Sequence, residues 1–520
     1  MTTRLTTSAA PDRSRWAWLS EPSGTLALLV AWAGFHALQR LALSSALTAD
    51  DAREAVLAQS LQWGYQARQP PLYNWLVWGA FRLLGPGILG LTLVKYVVLG
   101  LAFWLVYLTA RRILIDPRLA TLGAFSLLLF VPIGWTAHEA LTHSVGALAA
   151  CAGTAYALVR LGDAPSRRAY AGLGLAVGLG LLSKFTYALF VAGLGLAALT
   201  VDRYRRRLLD PAVLIAALVA TLLVLPFAVW FVGEGHDLGR LYAREVRIED
   251  GASWARQAGM GVGYVVRIAA FYLAPVGIAL AACFPAIYRR LPPKAGGHAG
   301  GRLLGWLLVW MLVLLTVAAL IGGLSFLKAR WLIPAFFLAP LYGLWRLERH
   351  GTTVKRLRAF AAVLILTEVI AVGGLTARVV GASLFRRPYR MNEPYDEVAA
   401  GLARAGFTRG TIVAGFGTLA GNLAVRFPYS RVLHTEYPDF QPPAASPGQC
   451  LLVWDRHRGE RGSPDASGPP EDVQRLAGTL GVALTGSERI GIVDAPFLFD
   501  RRRVRRVQYV LFPDGVGPCR

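Results

Sequence analysis

Apolar runs of about twenty residues recur along the chain, near 25–47, 87–110, 118–136, 142–161, 169–183, 185–201, 211–232, 262–287, 303–325, 331–347 and 359–381. An α-helix needs roughly that length to cross the apolar core of a bilayer. The pattern predicts a mainly α, polytopic membrane protein with about eleven transmembrane helices. The fifth and sixth runs are short and meet at Ser183-Lys184, where the Gly-rich sequence before Lys184 favours a break. Beyond about residue 384 the runs shorten, and Pro, Gly and charged residues rise. There 395–405 and 417–427 have helical spacing, 411–414, 450–454 and 507–512 read as strands, and 459–470 is a loop by composition. Two domains follow: a membrane domain over 1–383 with an amphipathic first external loop at 48–86, and a small extracytoplasmic α/β domain over 384–520.

Composition removes the soluble alternative. Hydrophobic residues make up 55% and charged residues 16% of the chain, against about a quarter charged in soluble domains. The net charge of +23 would suit nucleic acid if it were gathered on one face. Instead the Arg residues fall in bursts between apolar runs, as at Arg111-Arg112, Arg205-Arg206-Arg207 and Arg289-Arg290. That is how cytoplasmic loops of a membrane protein are marked, so no nucleic acid partner is expected. The basic loops at 111–118, 160–168, 203–207, 289–302 and 346–358 fall on one side. The predicted setting is a bacterial inner membrane, with the N-terminus cytoplasmic and the C-terminal domain periplasmic or extracellular. The first run, preceded by Arg4, Arg13 and Arg15, is long enough to be an uncleaved anchor rather than a signal peptide. Cys151 and Cys283 lie in apolar runs, while Cys450 and Cys519 can pair if the C-terminal domain is outside the cytoplasm.

Several polar groups share the external side. Acidic side chains beside a bilayer are costly to hold, which marks Asp50 and Asp51 as functional candidates. A carboxylate in a partly dry cleft can take a proton from a hydroxyl. The competing reading is a helix start, since Thr48 and two acids suit the positive end of a helix. Asp51 either helps position Asp50 or holds Arg53. Pro70-Pro71 stiffens the backbone and can aim Gln69 and Tyr73 at a site. Glu139 and His143 are four apart and can share a helix face. With His138 they leave a divalent cation open, although the spacing is not that of a zinc protease. Lys184, Lys328 and Arg330 sit in apolar surroundings on the same side, which suits a phosphate. Gly415-Phe416-Gly417 with Gly421 reads as a strand-turn-helix corner. The run 501–506, almost all Arg, can touch anionic headgroups or be a solvated strand edge.

Four segments together resemble the GT-C type of integral-membrane glycosyltransferase, glycosyltransferase family 39 with its aminoarabinose and protein-mannosyl relatives. They are Asp50-Asp51-Ala52-Arg53, Gln69-Pro70-Pro71-Leu72-Tyr73-Asn74-Trp75-Leu76, the Gly-rich stretch from Gly178 to Lys184, and Arg330-Trp331-Leu332-Ile333-Pro334. The resemblance covers roughly residues 25 to 345. It implies a polyprenyl-phosphate sugar donor used on the outer face, with Asp50 as the catalytic carboxylate, and Lys184 and Arg330 on the donor phosphate. Gln69 stands where relatives often carry Lys, and Thr142-His143 where many carry a second acid. The expected activity is transfer of a hexosyl or pentosyl group to a lipid, glycan or protein acceptor of the envelope, with inversion. The alternative is a transporter of lipid-linked sugars, which would need the groove and the cations but no base.

Overall fold

In the computed structural model, the described residues are 17–246, 253–288, 299–321, 326–384, 389–415, 417–437, 440, 442–443, 448–455, 468–482, 484, 486, 488–513 and 519. All eleven apolar runs contain helix. Among the described residues, seven helices are long and apolar enough to cross a membrane: α1 (Pro22–Leu43), Ile88–Ile113, His143–Asp163, Val213–Gly233, Trp254–Cys283, Ala299–Ile321 and Val354–Val380. The pair Pro117–Leu129 and Pro132–Glu139 is apolar enough only when taken together, and it bends by 76° at the break. The remaining runs form the shorter helices Arg167–Leu181, Tyr187–Leu199 and Ala339–His350. Most of the basic loop at 289–302 and part of the loop at 459–470 lie outside the described residues.

The 48–86 loop folds into two helices, α2 (Ala49–Leu57) and α3 (Leu72–Leu84). Pro71 caps α3, and the amide of Leu72 donates to the carbonyl of Leu182 at 2.9 Å. The Pro-Pro turn is thereby pinned to the break between Arg167–Leu181 and Tyr187–Leu199. That break is tight because Tyr187 folds back on the preceding helix: a Cβ on Gly180 would lie 2.0 Å from its ring.

The C-terminal part is a five-stranded sheet in the order β2-β1-β3-β5-β4, comprising β1 (Gly410–Ala414), β2 (Arg431–His434), β3 (Gln449–Asp455), β4 (Gly491–Pro496) and β5 (Val504–Phe512). β1 runs parallel to β2 and β3, and β5 is antiparallel to β3 and β4. β2 and β4 go beyond the strands read from sequence: β2 has only four residues, three of them buried, and in β4 only Val493 and Ala495 are buried, while the apolar Ile492 points outward. Cys450 and Cys519 form a disulfide. Within the basic run, Arg505 pairs with Asp455 and Glu393, and Arg506 pairs with Asp494 at 2.7 Å, while Arg501 and Arg502 are exposed.

Val56, Leu57 and Tyr65 of the 48–86 loop, with Ala46 just before it, are buried in one cluster with Tyr395, Leu419 and Val432 of the C-terminal part. The loop expected to belong to the membrane domain is therefore also part of the core of the C-terminal domain. The helix Gly417–Arg426 lies directly on α2, and a Cβ on Gly421 would sit 2.0 Å from the carbonyl oxygen of Ala52. Asn422 completes the contact, accepting from the amide of Leu47 at 2.9 Å and donating to its carbonyl at 3.1 Å.

Candidate active site

α2 begins at Thr48, whose extended backbone precedes the first turn, and this turn carries Asp50 and Asp51. The helix-start reading and the catalytic reading are thus compatible, since the acids sit where the helix end favours negative charge. The two carboxylates then diverge, because successive side chains on a helix point about 100° apart. Asp50 faces an open polar cleft of about 300 Å³ lined by Arg53, Gln69, Thr142, His143, Ser144, Lys184, Arg330 and Trp331. Asp51 turns inward and pairs with Lys95 at 2.9 Å. It holds Lys95 rather than Arg53 and does not line the cleft, which corrects its placement among the catalytic groups.

Asp50 Oδ2 accepts from Arg330 Nη1 at 3.1 Å and from the amide of Leu141 at 3.2 Å. Leu141 has φ +71°, a left-handed conformation that costs a branched residue about 1–2 kcal/mol. The strain aims its amide at Asp50. Burial pushes the Asp50 carboxyl up, but Arg330, Arg53 and the Leu141 amide outweigh it and hold the group below its usual value. Asp50 is accordingly ionised at neutral pH. Lys184 lies in the break between two short helices and donates to Ser144 Oγ at 2.6 Å. Burial, with Arg330 next in weight, pushes its ammonium down to about 7. Arg53 Nε donates to Tyr437 Oη at 3.2 Å.

Other candidates are placed elsewhere. Tyr73 is buried among α2, α3 and the Ile88–Ile113 helix, beneath the cleft rather than in its lining. Lys328 sits outside the lining beside Trp331, 3.6 Å from Glu245, which also pairs with Arg68 at 3.4 Å. Glu139 and His143 do not share a helix face, because the chain breaks between them at Ala140 and Leu141. Glu139 instead pairs with Arg378 at 3.1 Å and accepts from Tyr389 at 2.6 Å. His138 is buried, with Nδ1 3.1 Å from Tyr96 Oη and its ring stacked on His36. Among the described residues, no group of three His, Cys, Asp or Glu side chains is placed to hold a metal ion.

Glu54 is a buried group that the sequence analysis does not single out. Glu54 is fully buried, with Oε1 3.1 Å from His143 Nε2 and accepting from Thr142 at 3.2 Å, while Oε2 accepts from Asn74 at 2.6 Å. It ties α2, α3 and the His143–Asp163 helix together under the cleft. Its spacing of four from Asp50 was the available signal, since such residues share a helix face.

The carboxylate of Asp50 thus shares one polar cleft with Arg53, Lys184 and Arg330 in a many-helix membrane body. By its relatives the chain belongs to the GT-C type of integral-membrane glycosyltransferase, and it is an enzyme rather than a transporter. The family described as dolichyl-phosphate-mannose-protein mannosyltransferase matches residues 68–230. The lipopolysaccharide core galacturonosyltransferase RgtB of Rhizobium johnstonii is 31% identical, over 92% of this chain and 95% of its own. RgtA of the same organism, described in the same words, is 32% identical over 91% and 94%. Among solved structures, ArnT from Cupriavidus metallidurans bound to undecaprenyl phosphate superposes with a TM-score of 0.58 at 14% identity, covering 94% of this chain and 98% of that one. This likeness shows a shared fold.

Proposed function

We propose that the protein moves a uronic acid from a polyprenyl-phosphate donor to a glycan of the lipopolysaccharide core, on the periplasmic face of the bacterial inner membrane. The names of RgtA and RgtB support the sugar and the acceptor, and the ligand in the ArnT structure supports the carrier. The basic loops and the Cys450–Cys519 disulfide, a bond of oxidising compartments, support the orientation.

The observation that carries the reading is Asp50, ionised at the edge of a cleft shared with Lys184 and Arg330. Asp50 takes the proton of the acceptor hydroxyl as its oxygen attacks the anomeric carbon. The bond from that carbon to the phosphate oxygen breaks, the anomeric configuration inverts, and polyprenyl phosphate leaves with the electron pair. Lys184 and Arg330 stabilise the charge that develops on the phosphate. These side-chain cations do the work a divalent ion does elsewhere, so transfer should continue in EDTA. The test is transfer of labelled sugar by purified protein in lipid. Asp50→Asn should lower kcat by about 10²–10⁴-fold with donor binding retained. Undiminished turnover in that variant would remove Asp50 from the mechanism.

A further inference from the structure

Among the described residues, the lining of the cleft sets three cations, Arg53, Lys184 and Arg330, against one acid, Asp50. The three cations are not equivalent. Lys184 and Arg330 come from the membrane body, where Arg330 pairs with Asp50 at 3.1 Å and Lys184 donates to Ser144 Oγ at 2.6 Å. Arg53 comes from α2, three residues after Asp50 and on the same helix face. Its guanidinium donates from Nε to Tyr437 Oη at 3.2 Å, and among the described residues no carboxylate pairs with it. A guanidinium is a flat fork whose two terminal nitrogens match the two oxygens of a carboxylate. With Nε held, those two nitrogens are left open on a side chain that lines the cleft.

The group that holds Nε suits this arrangement. Tyr437 belongs to the C-terminal domain, is only 6% exposed and packs in one core with Leu419 and Val432. Its ring lies against His434, with 5.4 Å between centroids. Burial pushes its hydroxyl up, so the oxygen is neutral. A neutral acceptor fixes the direction of Arg53 without cancelling its charge, as a carboxylate in the same place would. The acid beneath the cleft, Glu54, is taken up by His143, Thr142 and Asn74. With a bound phosphate keeping Lys184 charged, the lining carries two positive charges in excess. A sugar joined to polyprenyl phosphate brings one negative charge on its phosphodiester. A second negative charge, on the sugar, makes up the difference.

We propose that Arg53 selects an acidic donor sugar: its two terminal nitrogens hold the carboxylate of the uronic acid, and Tyr437 sets their direction. Tyr437 is a positioning residue that acts through Arg53. The inference rests on the glycosyl-transfer reading above. It separates recognition of the sugar, by Arg53, from recognition of the phosphate, by Lys184 and Arg330, and gives the C-terminal domain a part in the first.

The test uses the full-length protein in lipid with two donors on the same polyprenyl phosphate. One carries galacturonic acid and the other galactose, which differs only in having CH2OH in place of the carboxylate. Binding is measured on the Asp50→Asn protein, which needs no acceptor, and transfer on the active protein with isolated lipopolysaccharide core. Both should favour the uronic acid by about 10–100-fold, the range of a charge-assisted contact. Arg53→Gln should bring the two donors close to equal, with the greater loss on the uronic acid. Arg53→Lys, which keeps the charge but not the fork, should retain part of the preference, and Tyr437→Phe should give an intermediate one. A displaced α2 would weaken both donors alike, so the ratio tells recognition from folding. Arg53→Gln keeping the wild-type preference, or losing both donors in equal measure, overturns the proposal, as does a wild type that takes galactose as readily. If neither sugar reaches the core while the binding preference still depends on Arg53, the acceptor reading falls and this one stands.

Discussion

Around Asp50 the side chains are set so that a base stays charged and a neighbouring cation is close to losing its charge. Arg330 and the Leu141 amide hold Asp50 ionised, while burial brings Lys184 down to about 7. A lysine with a lowered value is charged below it and neutral above it. The free enzyme should therefore lose donor kcat/KM as pH rises through about 7, and a bound phosphate should keep Lys184 charged so that kcat falls less. Lys184→Arg should flatten the alkaline limb, because a guanidinium does not titrate there. Steady-state profiles of the two proteins across pH 6 to 9, on the order of six points, would show it. A fall that persists unchanged in Lys184→Arg would place the titration on another group. At this scale the sequence pointed to Asp50, Lys184, Arg330, Arg53 and Gln69, which the fold does gather in one cleft. The family resemblance singled out Asp50, but the residues alone did not separate it from Asp51, because both are acids in one helical turn and only the neighbour Lys95 tells them apart.

Among the elements, α2 is the part on which the site depends. It is pressed from below by Glu54 with its three partners, and from above by the Gly417–Arg426 helix. Gly421→Ala should drive the two helices apart, since the new Cβ would overlap the Ala52 carbonyl at 2.0 Å. Overpacking of this kind costs roughly 1–3 kcal/mol. We expect kcat to drop at least about tenfold as the first turn of α2 moves, with the membrane helices still folded by circular dichroism. Wild-type turnover in Gly421→Ala would mean that α2 keeps its place without the C-terminal domain. The Gly-rich corner at 415–421 was readable as strand-turn-helix, and that reading holds. Its role against α2 was not, because close backbone approach is a property of two segments and only one was in view.

Across the whole molecule, the loop at 48–86 joins the two domains by contributing to the core of the second. The disulfide ties β3 to the C-terminal end across 69 residues of sequence. Closing a loop of that size stabilises by roughly 2–4 kcal/mol. Cys450→Ser should lower the unfolding free energy of the C-terminal domain by that amount, read as a lower midpoint in a denaturant series, and reductant should do the same to wild type. Wild type and variant unfolding together without reductant would show that the bond is not formed in the cell. Hydrophobic run length and the placement of Arg between runs determined, without any structure, that this is a many-helix membrane protein with an α/β end, because both signals are local to the chain. Which charges face substrate was decided by tertiary structure alone. Asp51 found Lys95 and Glu139 found Arg378, each through contacts between segments far apart in sequence.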